Sequence, residues 1–179
     1  MDDKMMISFQ PVNTTGAGEL AKLAQDIYQE HYLHLWHPGG AAWYMYEKAY
    51  HPDIITEELS NPSNQYYFIY NNNVLTGYLK LVTNAVFNKE ENCLEIERIY
   101  LRKQATGKGI GKEAMLFAET IARSNHAETI FLKAMDSSLD AIRFYQQMGY
   151  SICGSFTLNF PLMKEAYRGM HILHKKIPC

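Results

Sequence analysis

At 179 residues, with 47% hydrophobic and 20% charged side chains, the chain has the make-up of a globular protein and a length that fits a single domain, 1–179, with a sizeable core. A formal net charge of −2 gives no general attraction for a phosphate backbone or an anionic lipid surface, which counts against nucleic acid and membrane as partners. Cys93, Cys153 and Cys179 lack the paired spacing of a zinc site, no basic and apolar leader opens the chain, and no run reaches ~18 apolar residues; the expectation is a cytoplasmic protein without disulfides.

In chain order, Ile7 to Pro11 reads as a short strand, and Asn13, Thr14 and Thr15 offer side-chain oxygens that start a helix. Leu20, Leu23, Ala24, Ile27 and Tyr28 then share one helical face. Pro38, Gly39 and Gly40 break the next stretch, and Pro52 with Ile54, Ile55 and Leu59 suggests a further short helix. QYYFIY, three asparagines and VLTGYLKLV form an antiparallel hairpin, and a third strand is expected over Leu94 to Leu101. After KQATGKGIG comes a helix with Ala114, Phe117, Ala118, Ile121 and Ala122 on one face. Thr129 to Lys133 is a strand, and Ser137 with Asp140 suggests a capping box for a helix that ends near Met148 at the left-handed stop of Gly149. Two strands, about Ile152 to Leu158 and Gly169 to Lys176, complete the chain.

The segment TGKGIGK carries the most chemical information. Gly107, Gly109 and Gly111 can adopt positive φ, so successive N–H groups can point into one concavity. The helix that follows adds its free N–H groups and the positive end of its dipole, and Lys108 and Lys112 add charge, so the loop suits a phosphate. It does not fit the P-loop, because three residues rather than four separate Gly107 from Gly111–Lys112, and Glu113 follows where Ser or Thr belongs. Nor does it fit the dinucleotide fingerprint, since the spacing is GxGxG after a hairpin and Phe131 stands where an acid is needed. A tight strand-to-helix turn is the plain structural alternative.

ERIYLRKQATGKGIGKEAM followed by DAIRFYQQMGY resembles the two acyl-CoA-binding motifs of the GNAT N-acetyltransferase superfamily, over roughly Tyr66 to the C-terminus. The resemblance implies an α/β fold with a mixed, mostly antiparallel central sheet and helices on both faces, acetyl-CoA as cosubstrate, and a possible homodimer. The family loop falls on Thr106, Gly107, Lys108, Gly109, Ile110 and Gly111, with Thr106 in place of the usual Arg or Gln; QATGKG also fits, but ends two residues short of the expected helix start. By the same resemblance the backbone near Ile99 and Leu101 orients the pantetheine arm, and Ser138 stands where an Asn often touches the cofactor. The strings ELSN, YFIY, LEIERIY and FYQQMGY look most like the bacterial spermine/spermidine acetyltransferases, which implies a polyamine or similar acceptor.

An alkylamine with a pKa of ~10.4 is mostly protonated at neutral pH, so acetylation needs a base. Glu97, on the strand before the loop, matches the family's acid, with Glu95 two residues earlier on the same face; pairing with Arg98 or Lys80 is the competing role for Glu97. Tyr145 matches the tyrosine that gives a proton to the departing thiolate, and a core aromatic is its alternative. Cys93 and Cys153 are expected to be inert core residues, and Glu47, Asp53, Glu57 and Glu58 a solvated helix face that can also attract a cation. No metal site is expected from His31, His34 and His37, whose spacing is wrong for helical ligands, and a place in the acceptor pocket suits them better; for Trp36, Trp43, Tyr44 and Tyr46 ordinary packing is the default, with a place in the wall of that pocket, ring faces toward a cation, as the alternative. The readings that compete with a small-molecule enzyme are an acyl-CoA sensor and a protein acetyltransferase, the latter requiring an open groove over Tyr32 to Leu59.

Overall fold

The computed structural model describes residues 5–178; the acidic start of the chain and Cys179 lie outside the described residues. Strands β1 (Ile7–Pro11), β2 (Asn64–Asn71), β3 (Val74–Phe87), β4 (Glu90–Leu101), β5 (Thr129–Met135), β6 (Ser151–Thr157) and β7 (Gly169–Lys176) form a sheet in the order β1-β2-β3-β4-β5-β7-β6. Only β4 and β5 run parallel; the other neighbours are antiparallel. Helix α4 (Ile110–Ser124) packs a core of Leu79, Leu81, Leu94, Ile96, Ile130 and Leu132 on one face. Helices α1 (Ala17–His31) and α3 (Pro52–Ser60) cover the other through Leu20, Ile27, Ile55, Tyr66 and Tyr78. The mixed, mostly antiparallel sheet with helices on both faces is therefore the fold that the motifs implied.

Between α1 and α3, α2 (Gly40–Trp43) runs directly into a π-helical turn, Tyr44–Ala49, and α5 (Leu139–Gln147) follows β5. The asparagine turn forms as read, with Asn72 and Asn73 at φ 48° and 64°. Strands β3 and β4 extend beyond the expected apolar runs and meet at Asn88 and Lys89, both at positive φ; the polar letters around that turn hide the strands from a hydrophobicity reading. The capping box is not made: Ser138, rather than Ser137, is the N-cap of α5, and its side chain makes no capping bond. Gly149 does stop the helix at φ 90°.

Two irregularities in β4 shape everything that follows. Lys80 pairs with Arg98 but Leu81 pairs with Ile96, so Glu97 is an extra residue, a bulge. Before it, Leu94 and Ile96 face the α4 side; after it, Ile99 and Leu101 do, while Tyr100 turns to α1. The second irregularity is a splay: β4 pairs with β5 only from Leu94 to Ile96, although both strands continue past that point.

Candidate active site

The splay leaves backbone groups of β4 without a strand partner. Arg102 N–H donates to the Thr76 carbonyl at 2.8 Å, and the antiparallel alternation then turns the N–H and C=O of Ile99 and Leu101 away from β3, toward the opening. The Leu101 carbonyl lies 3.0 Å from His31 Nε2, which fastens the end of β4 to α1. The amides near Ile99 are thus the ones in position to bind a polar arm inserted between the strands.

In the loop between β4 and α4, Gly107 and Gly109 sit at φ 72° and 80°, conformations that cost other L-residues roughly 1–2 kcal/mol. A Cβ at Gly107 would meet nothing within 4 Å, so conformation rather than crowding explains that glycine. Gly111, expected to share this role, instead lies inside the first turn of α4, and Gly109 is the cap. Ile110 is fully buried, so it can offer a ligand only its backbone. Thr106 Oγ1 donates to the Lys103 carbonyl at 2.8 Å and steadies the turn, whereas Lys108 and Lys112 are exposed. Free N–H groups, the dipole of a 15-residue helix and two exposed ammonium groups make this an anion cradle, fit for a pyrophosphate.

A cavity of about 370 Å³ runs inward from the splay. Ile99, Ala134, Met135, Ser138, Ala141 and Tyr145 line its β5–α5 end, and Tyr28, Tyr32, Tyr44, Tyr100, Phe160 and Met163 its α1 end. Burial, reinforced by Tyr32, pushes the Tyr145 phenol up to about 12, so it stays protonated at neutral pH and able to donate. The helical spacing shared with Ile142 and Met148 had left a core role open for Tyr145; here Ile142 is buried while Tyr145 reaches the cavity wall.

Glu95 and Glu97 both line the cavity, and both carboxylates are already paired. Glu97 contacts Lys80, which is 3% exposed and also lies 3.0 Å from Glu58. Tyr66 donates its hydroxyl to Glu58 and accepts from Arg98 Nη1 at 2.6 Å. Burial alone would raise the Glu58 carboxyl, but Arg98, Tyr66 and Lys80 together hold it below the usual carboxylate range. Glu95 pairs with Lys133 at 2.8 Å. Because of the bulge, Glu97 and Arg98, though adjacent, both reach this network.

The segment before α3 and the β6–β7 loop are joined over the α1 end of the cavity. Trp36 and Met163 form an antiparallel bridge, His37 N–H donates to the Leu162 carbonyl at 2.9 Å, and Lys164 N–H donates to the Leu35 carbonyl at 2.9 Å. A Cβ on Gly40 would stand 2.8 Å from the Trp36 ring and 2.9 Å from the Leu162 carbonyl, so only glycine permits this approach. Phe160 and Met163, missed in the sequence, reach the site from this loop; Pro161 marked the loop but nothing local marked where it folds.

The place expected for the three histidines in the acceptor pocket is corrected. None of His31, His34 and His37 lines the cavity, and among the described residues no group of three or more His, Cys, Asp or Glu side chains gathers as a metal site would require. Of the four aromatics considered, Tyr44 alone lines the cavity: Trp36 and Trp43 pack against Phe160, and Tyr46 is exposed. Glu58 belongs to the internal network, unlike the exposed Glu47, Asp53 and Glu57. Cys93 is buried as expected, but Cys153 is exposed on β6. No helix among the described residues is long and apolar enough to cross a membrane.

The chain belongs to the acetyltransferase (GNAT) family, whose sequence model matches residues 20–150, a span that begins well before Tyr66, inside α1. Among curated relatives, an uncharacterised N-acetyltransferase in the pepI 3′ region of Lactobacillus delbrueckii subsp. lactis is 35% identical over 105 residues, 58% of this chain and 61% of that protein. Streptothricin acetyltransferase of Streptomyces lavendulae is 34% identical over 87 residues, 48% of this chain and 44% of that protein. The matched part of the chain thus spans about 61% and 44% of the lengths of these two relatives. The crystal structure of PaiA N-acetyltransferase from Thermoplasma acidophilum in complex with coenzyme A has the same fold, with a TM-score of 0.74, 20% identity, and coverage of 96% of this chain and 99% of that one.

Proposed function

We propose that this protein is an acetyl-CoA-dependent N-acetyltransferase acting on a primary amine of a small molecule. The observation that carries the reading is that Ile99, whose backbone faces the splay, lines one cavity with Tyr145 and Glu97, while the same strand β4 leads into the Gly107–Gly109 cradle, which does not itself line that cavity. The α4 N-terminus and glycine loop would hold the pyrophosphate, and the β4 backbone the pantetheine arm; when bound, acetyl-CoA supplies an activated acetyl thioester.

In this scheme Glu97, 37% exposed on its side chain, takes a proton from the incoming ammonium through water and passes it to solvent. The amine nitrogen forms the new C–N bond as the C–S bond breaks, and the Tyr145 hydroxyl gives its proton to the departing thiolate. Of the three protons of the ammonium, one stays on the amide nitrogen, one restores Tyr145 and one leaves through Glu97. The closed joint between the Trp36 region and the β6–β7 loop favours a small acceptor over a protein segment, which would need an open groove. The name of the streptothricin relative, and the spermine/spermidine acetyltransferases that the motif strings resemble, both make a small amine a natural class.

Thiol release from acetyl-CoA, measured across a panel of small amines and an N-terminal peptide, tests the reading. Turnover with at least one small amine and none with the peptide is expected. Turnover with the peptide alone would assign the chain to protein acetylation, and binding of acetyl-CoA without turnover would make it a sensor.

A further inference from the structure

The α1 end of the cavity has a property that chooses among small amines. Charged groups at and just behind its wall are Glu58, Glu95 and Glu97 against Lys80, Arg98 and Lys133, a set with no net charge. Among the described residues, both carboxylates that line the cavity have a cation: Glu95 has Lys133 and Glu97 has Lys80. The rest of that end is aromatic, thioether and leucine surface. Tyr44 stacks on Tyr28 with ring centroids 5.0 Å apart, Phe160 packs on Tyr44 at 6.1 Å, and Tyr32 meets Tyr100 edge-on at 5.6 Å. Tyr44 is supplied by the π-helical turn, which begins at that residue.

We propose that this pocket takes a primary amine carrying one positive charge on an apolar or aromatic body, and discriminates against di- and polyamines; the proposal rests on the acetyltransferase reading above. A single ammonium gains the ring faces and the exposed side of Glu97. A second ammonium on the same ligand would enter among apolar groups, Lys133 and Arg98, with no free carboxylate among the described lining residues to receive it, and would have to shed its water without a carboxylate partner. An apolar body, by contrast, covers ring surface that is otherwise wet.

The decisive comparison is hexylamine against 1,6-diaminohexane, which share a body and differ in the second ammonium; 2-phenylethylamine and spermidine extend the series. The expected result is a kcat/KM for hexylamine about tenfold above that for the diamine, 2-phenylethylamine better still, and spermidine poorest. Lys133→Gln, a change at a half-exposed side chain, frees Glu95 and should shift the hexylamine-to-diamine ratio several-fold toward the diamine. A ratio measured within one variant does not depend on how much of it folds. Equal or better turnover of diaminohexane or spermidine would overturn the proposal while leaving the acetyltransferase reading intact. A Lys133→Gln variant with an unchanged ratio would overturn the charge-pairing basis. Failure of every amine in the series would remove both.

Discussion

The two ends of the cavity are built by opposite means. The β5–α5 end and the loop before it work mainly through backbone: glycines at positive φ, a helix N-terminus, and strand amides that a splay leaves unpaired. The α1 end works through side chains, with aromatic rings from α1, the π-helical turn, β4 and the β6–β7 loop closed around paired charges. Backbone binding suits a ligand that never varies, because amides are present whatever the side chains are. Side-chain binding suits a ligand that distinguishes one relative from another. The proposed division of labour is a common acyl donor at one end and a particular acceptor at the other.

The comparison is broken most strongly at Tyr145, the side chain proposed to serve the reaction from the backbone end. Tyr145→Phe should lower kcat by about 10²-fold, in the range typical of a lost general acid, while calorimetric titration shows acetyl-CoA bound as before. Because burial raises this phenol to about 12, any alkaline decline in kcat caused by its ionisation should fall well above pH 10. The sign for stability is the same. A phenol whose folded pKa is raised contributes fully below its unfolded pKa of ~10, and that contribution is lost as pH climbs from there toward 12. Denaturant midpoints measured from pH 8 to pH 12 should show the loss only in the upper half.

Gly109→Ala forces a side chain into φ 80° and should weaken acetyl-CoA binding about tenfold, corresponding to roughly 1–2 kcal/mol, with no change in preference among amines. Gly40→Ala attacks the other end: overpacking against Trp36 and Leu162 should raise the acceptor KM by about three- to tenfold and leave acetyl-CoA affinity alone. If instead the two glycine variants moved the same parameter, the two ends would not be separable. Lys112→Gln should have the smallest effect, a two- to threefold rise in the KM for acetyl-CoA, of the order of an exposed ion pair, which vanishes at high salt.

The same contrast decides what could be read from the letters. TGKGIGK lies within one turn of chain, so its cradle is visible as a local pattern, and β7 and the Asn72–Asn73 turn are visible for the same reason. The acceptor end brings Tyr28, Tyr44, Tyr100 and Phe160 together from segments far apart in sequence, and only tertiary packing says which aromatics share a wall. His31 illustrates the cost: its neighbours suggested a pocket, whereas its ring holds the Leu101 carbonyl. Glu97 was legible as a residue that matters, with Lys80 or Arg98 as a rival partner, but the bulge that lets Glu97 and Arg98 enter one network leaves no mark in the spacing.

That inserted residue also determines which changes in chain length β4 can survive. Deleting Cys93 or Glu95 would send Leu94 or Ile96 out of the α4 core, and deleting one residue after Arg98 would exchange Ile99 and Leu101 with Tyr100. Removing Glu97 itself would convert the strand to regular pairing and leave Lys80 facing Glu58 alone. A relative whose sequence lacks this one residue should therefore keep its sheet and lose the proposed base.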